Sequence, residues 1–219
     1  MLNRKLFEQI EEIQIKFRGS NPLLNFIHLN DFLEISIAKK ILSELNSTSY
    51  DTYCAYSLNE TGNNIITGFC EPNEAYFYTT IHKRPIEEIS SLETLYDYFS
   101  KKNVISFLSS LCGERLSRIG DKHILTYWPT GSFLDYHTDD GRGNYRVKLV
   151  LSISFTLGWK KSFGGITEFN WNIGDEIFKL KPKFNSAFLF RPFSGSFHRV
   201  TQVSEKSKSN RFTWTIHFL

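Results

Sequence analysis

The residues best suited to chemistry in this chain are His137 and Asp139, two positions apart, and His198 further along. Side chains at i and i+2 of an extended segment point to the same face, so His137 and Asp139 can bind one ion while Thr138 points away. Two imidazoles and one carboxylate form the facial triad that holds Fe(II) and leaves coordination positions open for oxygen chemistry. The spacing therefore predicts His137, Asp139 and His198 as metal ligands and as the catalytic centre.

Arg211 lies in a later segment whose residues Phe212, Trp214 and Ile216 are large and apolar. One face of this segment is therefore predicted to be buried, and a buried guanidinium needs an anionic partner because desolvation of an unpaired charge is unfavourable. The planar guanidinium binds carboxylates through two parallel hydrogen bonds. Arg211 is thus predicted to anchor a dicarboxylate co-substrate such as 2-oxoglutarate, and the whole pattern indicates an Fe(II)/2-oxoglutarate-dependent oxygenase.

The composition limits the other classes of protein. With 219 residues, 41% hydrophobic and 22% charged, the chain has the profile of a globular domain. A net charge of +3 is too small to indicate a nucleic-acid partner. The three cysteines have no metal-site spacing, which argues against a disulfide scaffold and a zinc site. No signal peptide or bilayer-spanning apolar run is evident, so we expect a cytoplasmic protein with no membrane partner.

The chain is predicted to form a single domain over residues 1–219, divided into two regions. Residues 1–121 are expected to be a mostly helical support region, with an amphipathic helix that stops before Gly19, a short strand over 24–29 and a second helix over 34–46. Two further helices are expected within 91–112, with Gly113 as the stop. The aromatic, polar segment 47–85 is predicted to be strands and loops that form a lid or groove wall over the site.

From residue 122 the hydrophobic period changes to two, which predicts strands. Glycine- and proline-containing turns separate eight runs, at 122–128, 133–138, 145–157, 165–170, 176–180, 185–191, 196–203 and 211–219. Eight short strands after helices indicate a mainly β, α+β fold. We expect a double-stranded β-helix (jelly roll) core over 122–219, with the N-terminal helices packed on one sheet.

The region from Tyr127 to Leu219 resembles the prolyl 4-hydroxylase-like branch of the Fe(II)/2-oxoglutarate-dependent dioxygenases. Besides the HxD pair, the resemblance rests on Tyr127, Arg146 before an apolar strand, Trp159 before Gly164-Gly165, Phe197-His198-Arg-Val200, and Arg211-Phe-Thr213-Trp214. The segments Phe26–Leu33 and Phe107–Gly113 are similar to N-terminal parts of the same family. The resemblance therefore covers most of the chain.

What the resemblance implies is a double-stranded β-helix that uses Fe(II), 2-oxoglutarate and O2, with ascorbate as a possible reductant, and releases succinate and CO2. It implies that Arg211 pairs with the far carboxylate of 2-oxoglutarate and that the Thr213 hydroxyl also contacts that carboxylate. The Tyr127 phenol is expected to line the same pocket. Because Asp139 is an intact carboxylate, the resemblance favours hydroxylation over halogenation.

Three functions remain open at this point. The first is hydroxylation of an amino-acyl side chain, most plausibly proline, in a peptide or protein. The second is hydroxylation of a free amino acid or small metabolite. It stays open because the strand after Arg146 lacks the Tyr-Leu-Asn ending that is typical of protein-hydroxylating relatives. The third is a non-catalytic cupin-like protein that binds metal or 2-oxoglutarate. The other histidines are interpreted as structural: His28, His82, His123 and His217.

Overall fold

A computed structural model describes residues 1–18, 26–48, 50–57, 65–68, 77–81, 89–141, 145–170 and 178–219. The predicted lid or groove wall over 47–85 lies largely outside these residues, apart from three strands. Among the described helices, none combines the length and apolar character that crossing a bilayer requires.

The helices lie in the N-terminal half of the chain. Their bounds are Arg4–Glu8 (α1), Ile10–Arg18 (α2), Ile35–Ser47 (α3), Ser90–Ser100 (α4) and Lys102–Cys112 (α5). The first predicted helix is divided at Gln9, whose backbone N–H still bonds to the carbonyl of Lys5. The predicted stop at Gly113 is confirmed. This residue has φ +71, in the left-handed region that glycine adopts without penalty.

The described strands form two antiparallel sheets. Their bounds are Phe26–Leu29 (β1), Asp51–Ser57 (β2), Ile65–Gly68 (β3), Phe77–Ile81 (β4), Ile119–Tyr127 (β5), Leu134–His137 (β6), Leu149–Ser154 (β7), Thr167–Asn170 (β8), Phe178–Leu180 (β9), Ser186–Phe190 (β10), Phe197–Val200 (β11) and Phe212–Phe218 (β12). The major sheet has eight strands in the order β1-β10-β7-β12-β5-β4-β2-β3. The minor sheet has four, in the order β6-β11-β8-β9. The eight strands predicted from the two-residue period are all present, as β5 to β12.

The outer face of the major sheet carries the helices. Alternate residues of its central strands, such as Leu151, Trp214 and Ile216, are buried in one apolar cluster with Leu45 of α3 and Leu95 of α4. The opposite residues of the same strands face the minor sheet, because side chains alternate along a strand. This is the double-stranded β-helix arrangement, and it leaves an interior between the two sheets.

The N-terminal region differs from the expected mostly helical support. It supplies β1 to one side of the major sheet and β2, β3 and β4 to the other. β1 pairs with β10 and β4 pairs with β5. The predicted division at residue 121 is therefore not a division between helices and sheet, because residues from both sides of it build the major sheet and its core.

Asn185 fastens the segment after β1 to the turn before β10. Its side chain accepts a hydrogen bond from the Leu33 N–H at 2.9 Å and donates one to the Leu33 carbonyl at 2.8 Å. Asn185 is buried and has φ +54, a left-handed conformation that asparagine tolerates better than most residues. One side chain thus joins the N-terminal segment to the barrel.

We expect Asn185→Ala to lower the free energy of unfolding by about 3 kcal/mol, measured by urea denaturation. Each lost buried hydrogen bond contributes about 1 kcal/mol, and alanine in the left-handed region costs about 1 kcal/mol more. The matched control is Asn30→Ala, which removes an exposed contact with Lys183 and should change stability by less than about 0.5 kcal/mol. Equal effects of the two variants would contradict this account of Asn185.

Candidate active site

The structure brings His137, Asp139 and His198 together at one end of the interior. His137 ends β6 and pairs directly with His198 of β11, so their rings are 4.2 Å apart. Asp139 follows two residues after His137. The ligand atoms of these three residues all lie within 4.8 Å of one another. The predicted HxD geometry therefore produces a cluster of two imidazoles and one carboxylate that could hold a metal ion.

The ring of His198 is held in a defined orientation. It stacks on Phe169 and meets Phe190 edge-on, with ring centroids 5.6 and 5.3 Å away. Its Nδ1 lies 3.2 Å from the carbonyl oxygen of Ser196. A carbonyl can only accept, so Nδ1 carries a proton, and Nε2 is the nitrogen that offers a lone pair when the ring is neutral. Nε2 is the atom directed at Asp139, which suits metal binding.

The carboxylate of Asp139 is strongly acidic in this setting. Burial alone would raise its pKa, but the positive potential of His198, with His137 and His217, lowers the pKa well below its usual range. Conversely, the pKa of His198 is raised, because Asp139 outweighs the opposing effect of burial. Asp139 is therefore ionised at neutral pH, the form that binds a cation.

Arg211 lies at the other end of the interior and is only 3% exposed. Its Nε donates to the Gly165 carbonyl at 3.0 Å, its Nη1 donates to the Thr213 hydroxyl at 3.1 Å, and its guanidinium stacks over the Trp128 ring at 4.5 Å. Among the described residues no carboxylate pairs with it. Burial accordingly lowers the pKa of Arg211 to about 9, which still leaves it charged at neutral pH. The site thus contains a fixed, buried cation with no carboxylate partner in the part of the chain that the structure describes.

Gly165 makes room for this arginine. A Cβ at this position would lie 3.0 Å from Trp159 and 3.1 Å from Cδ of Arg211, and its φ of +58 is left-handed. Gly164, just before it, also has a positive φ, and its carbonyl accepts a hydrogen bond from the Trp159 indole at 2.8 Å. The Gly164-Gly165 turn therefore sets the path of Arg211.

A cavity of about 110 Å³ connects the metal-ligand cluster with Arg211. It is lined, in order from one end to the other, by Arg211 just before β12 and by Thr213, Thr215 and His217 of β12. The Thr215 hydroxyl is 3.1 Å from the Ser152 hydroxyl of the adjacent strand. A cation at one end, a metal-ligand cluster at the other and hydroxyls between them match the polarity of a short dicarboxylate.

Tyr127 does not occupy the predicted position in the co-substrate pocket. Its ring packs against Tyr50 and Phe212 at centroid distances of 5.0 and 5.3 Å, and its hydroxyl donates to Asn210 at 3.4 Å. The residues on either side of it, Thr126 and Trp128, line the cavity instead. The reason is strand alternation: Tyr127 points to the helix-covered face of the major sheet. Thr213 does line the cavity as predicted.

His217 lines the cavity next to Asp139, which differs from the structural role expected from the sequence. Its Nε2 lies 3.8 Å from Oδ2 of Asp139. The signal was present in the sequence, because His217 is an even number of positions after Arg211 on the same strand. The alternation that placed Arg211 and Thr213 inside also places His217 inside.

The C-terminal part of the chain matches a known protein family. Residues 122–219 match the family model of the 2OG-Fe(II) oxygenase superfamily. This segment is a 2OG-Fe(II) oxygenase domain. As a 2OG-Fe(II) oxygenase it is an Fe(II)- and 2-oxoglutarate-dependent dioxygenase that also uses O2. No curated protein matches the sequence.

Solved structures of other oxygenases share the fold. A prolyl hydroxylase from Trichoplax adhaerens, in complex with a hypoxia inducible factor peptide fragment, is 14% identical, with a TM-score of 0.66 over 99% of this chain and 93% of that chain. A prolyl-4-hydroxylase from Pseudomonas putida is 12% identical, with a TM-score of 0.67 over 96% of this chain and 98% of that chain. A 2OG-Fe(II) oxygenase family protein from Burkholderia pseudomallei has a TM-score of 0.61 at 12% identity, covering 95% and 90% of the two chains. At these identities the likeness establishes the double-stranded β-helix fold.

The residues of the cavity fit the superfamily's metal and co-substrate. Nitrogen and carboxylate oxygen donors on one face are the set that Fe(II) oxygenases use. The buried guanidinium without a described carboxylate partner supplies the charge that a dicarboxylate requires.

Proposed function

We propose that this oxygenase hydroxylates an unactivated C–H bond of an amino-acyl side chain in a peptide or protein, with proline as the first candidate. His137, Asp139 and His198 are the metal ligands in this proposal. Arg211 and Thr213 bind the far carboxylate of 2-oxoglutarate. The observation that carries the co-substrate assignment is the buried charge of Arg211, which has no carboxylate partner among the described residues.

The bound metal supplies the oxygen chemistry, and the protein contributes binding, orientation and exclusion of water. Arg211 is held on three sides by Gly165, Thr213 and Trp128, so it meets a carboxylate with little loss of conformational freedom. Phe169 and Phe190 fix the His198 ring and keep that side of the metal-ligand cluster apolar. A dry, oriented site protects the reaction from side reactions with water.

The exposure of the cavity at its metal end favours a substrate that approaches from outside. His137 is 31% exposed there. An aromatic wall, defined as Phe26, Phe169, Phe178, Phe188 and Phe190, extends from His198 towards the surface. Phe178 is 46% exposed at its outer end. A small apolar ring such as that of proline gains favourable contacts on such a wall.

The alternative of a free amino acid or small metabolite rests on the missing Tyr-Leu-Asn ending of β7. That strand instead presents Ser152 and Ser154 to the cavity. Hydroxyl side chains in the lining of the cavity suit a small polar substrate, and this observation favours the free amino acid or metabolite.

The test is to incubate the Fe(II)-loaded protein with 2-oxoglutarate, O2 and matched panels of proline-containing peptides and free amino acids. Our proposal predicts succinate formation and a mass gain of one oxygen on a peptide. Oxygen gain on free amino acids alone would favour the metabolite alternative. A folded protein that binds Fe(II) but forms no succinate, with or without substrate, would support the non-catalytic alternative.

A further inference from the structure

We propose that His217 is a positioning residue for Asp139: its imidazole holds the carboxylate in the orientation that captures the metal. This inference rests on the proposed function, in which Asp139 is a metal ligand. It concerns a residue outside the three ligands, carried by a different strand and a different sheet.

The position of His217 is set by the strand pairing. His217 pairs with Val150 of β7, while the ladder to β5 shifts register between Ile216 and Phe218. The extra residues of this irregularity lie on β5, so β12 keeps its regular alternation through His217. His217 therefore faces the interior together with Thr213 and Thr215, and its side chain is 8% exposed and lines the cavity.

Three imidazoles surround the Asp139 carboxylate. Nε2 of His137 is 3.7 Å from Oδ1, and Nε2 of His198 is 3.4 Å from Oδ2. Nε2 of His217 is 3.8 Å from Oδ2. His137 and His198 are both needed for the metal. Among the described residues, His217 is therefore the imidazole that still faces the carboxylate when the other two bind the ion.

His217 does not itself complete the metal cluster. Among the described residues, the group whose ligand atoms lie within 4.8 Å of one another contains His137, Asp139 and His198, without His217. A carboxylate that binds a metal through one oxygen needs a polar partner for the other. Partners of this kind orient the ligand and change metal affinity by about 10- to 100-fold when removed.

The experiment measures Fe(II) binding to metal-free protein under anaerobic conditions, without co-substrate. The two test variants are His217→Leu, which removes the polar nitrogen, and His217→Gln, whose amide N–H lies near the position of Nε2. The matched control is His28→Leu, a histidine of β1 that does not line the cavity. Thermal unfolding of each metal-free variant checks the fold.

We expect His217→Leu to weaken Fe(II) binding by about 10- to 100-fold, while His217→Gln stays within about threefold of the parent and His28→Leu leaves binding unchanged. Equal weakening by Leu and Gln would overturn the positioning role, because only packing would then matter. Unchanged binding in His217→Leu would also overturn it and assign the imidazole to the substrate side. If the parent protein bound no Fe(II), the proposed function itself would fail, a distinct result.

Discussion

Asp139→Ala is expected to abolish Fe(II) binding and lower succinate formation by at least about a thousandfold. In our proposal Asp139 is the anionic metal ligand, and its loss removes the negative charge that attracts the cation to His137 and His198. Because the bound metal supplies the reaction chemistry, loss of the metal removes turnover rather than weakening it. Fe(II) titration and a succinate assay measure the two effects.

The matched control for this prediction is Asp140→Ala, the same substitution on the next residue. The Asp140 carboxylate accepts a hydrogen bond from the Thr138 hydroxyl at 2.7 Å and is not part of the metal-ligand cluster. We expect this variant to bind Fe(II) within about tenfold of the parent. Loss of a residue that only orients a metal ligand lowers metal affinity by about tenfold at the least, and Asp140 is one step further removed. If Asp139→Ala bound Fe(II) and turned over as well as Asp140→Ala does, the assignment of Asp139 as a metal ligand would be contradicted.

Arg211→Met is expected to weaken 2-oxoglutarate binding by roughly 30-fold or more. Truncating one member of a buried, hydrogen-bonded charge pair costs about 2–5 kcal/mol, and 1.4 kcal/mol corresponds to tenfold in affinity. Arg211→Lys should fall between the parent and Arg211→Met, because an ammonium keeps the charge but loses the planar fork and the Nε bond to Gly165.

The stability of the Arg211→Met protein provides an independent readout. In the free protein this guanidinium is buried without a described carboxylate partner, so an apolar side chain of similar length should leave the free energy of unfolding unchanged or higher. The parent should gain about 4 kcal/mol from 2-oxoglutarate at 1,000 times its dissociation constant, and Arg211→Met should lose most of that gain. A variant that is unstable without 2-oxoglutarate and still binds it normally would contradict a co-substrate role.

The sequence predicted the parts of the fold that have strong local signals. The two-residue period marks the eight strands from β5 to β12, and the HxD spacing leads directly to the His137, Asp139 and His198 cluster. These predictions succeed because strand alternation is a local property, and it fixes which side chains share a face. Pairing of β6 with β11 then brings the distant His198 to the same site.

The errors arise where a position depends on partners far away in the chain. Tyr127 was assigned to the pocket by resemblance, although alternation along β5 sends Thr126 and Trp128 to that face. The strands of the N-terminal region were missed as parts of the major sheet because their pairing partners, β10 and β5, lie far along the sequence. The interpretation of His217 as structural rests on its lack of an HxD-type neighbour, and it leaves out the alternation along β12 that places His217 on the same face as Thr213.

The most direct test of the metal and co-substrate assignment is spectroscopic. Fe(II) and then 2-oxoglutarate are added anaerobically to the metal-free protein, and the visible metal-to-ligand charge-transfer band is recorded beside His198→Ala and Arg211→Met. We predict a band in the parent, none in His198→Ala, and one in Arg211→Met that needs far more 2-oxoglutarate to appear. A folded parent protein without a band at saturating Fe(II) and 2-oxoglutarate would contradict the assignment of this cavity as the oxygenase site.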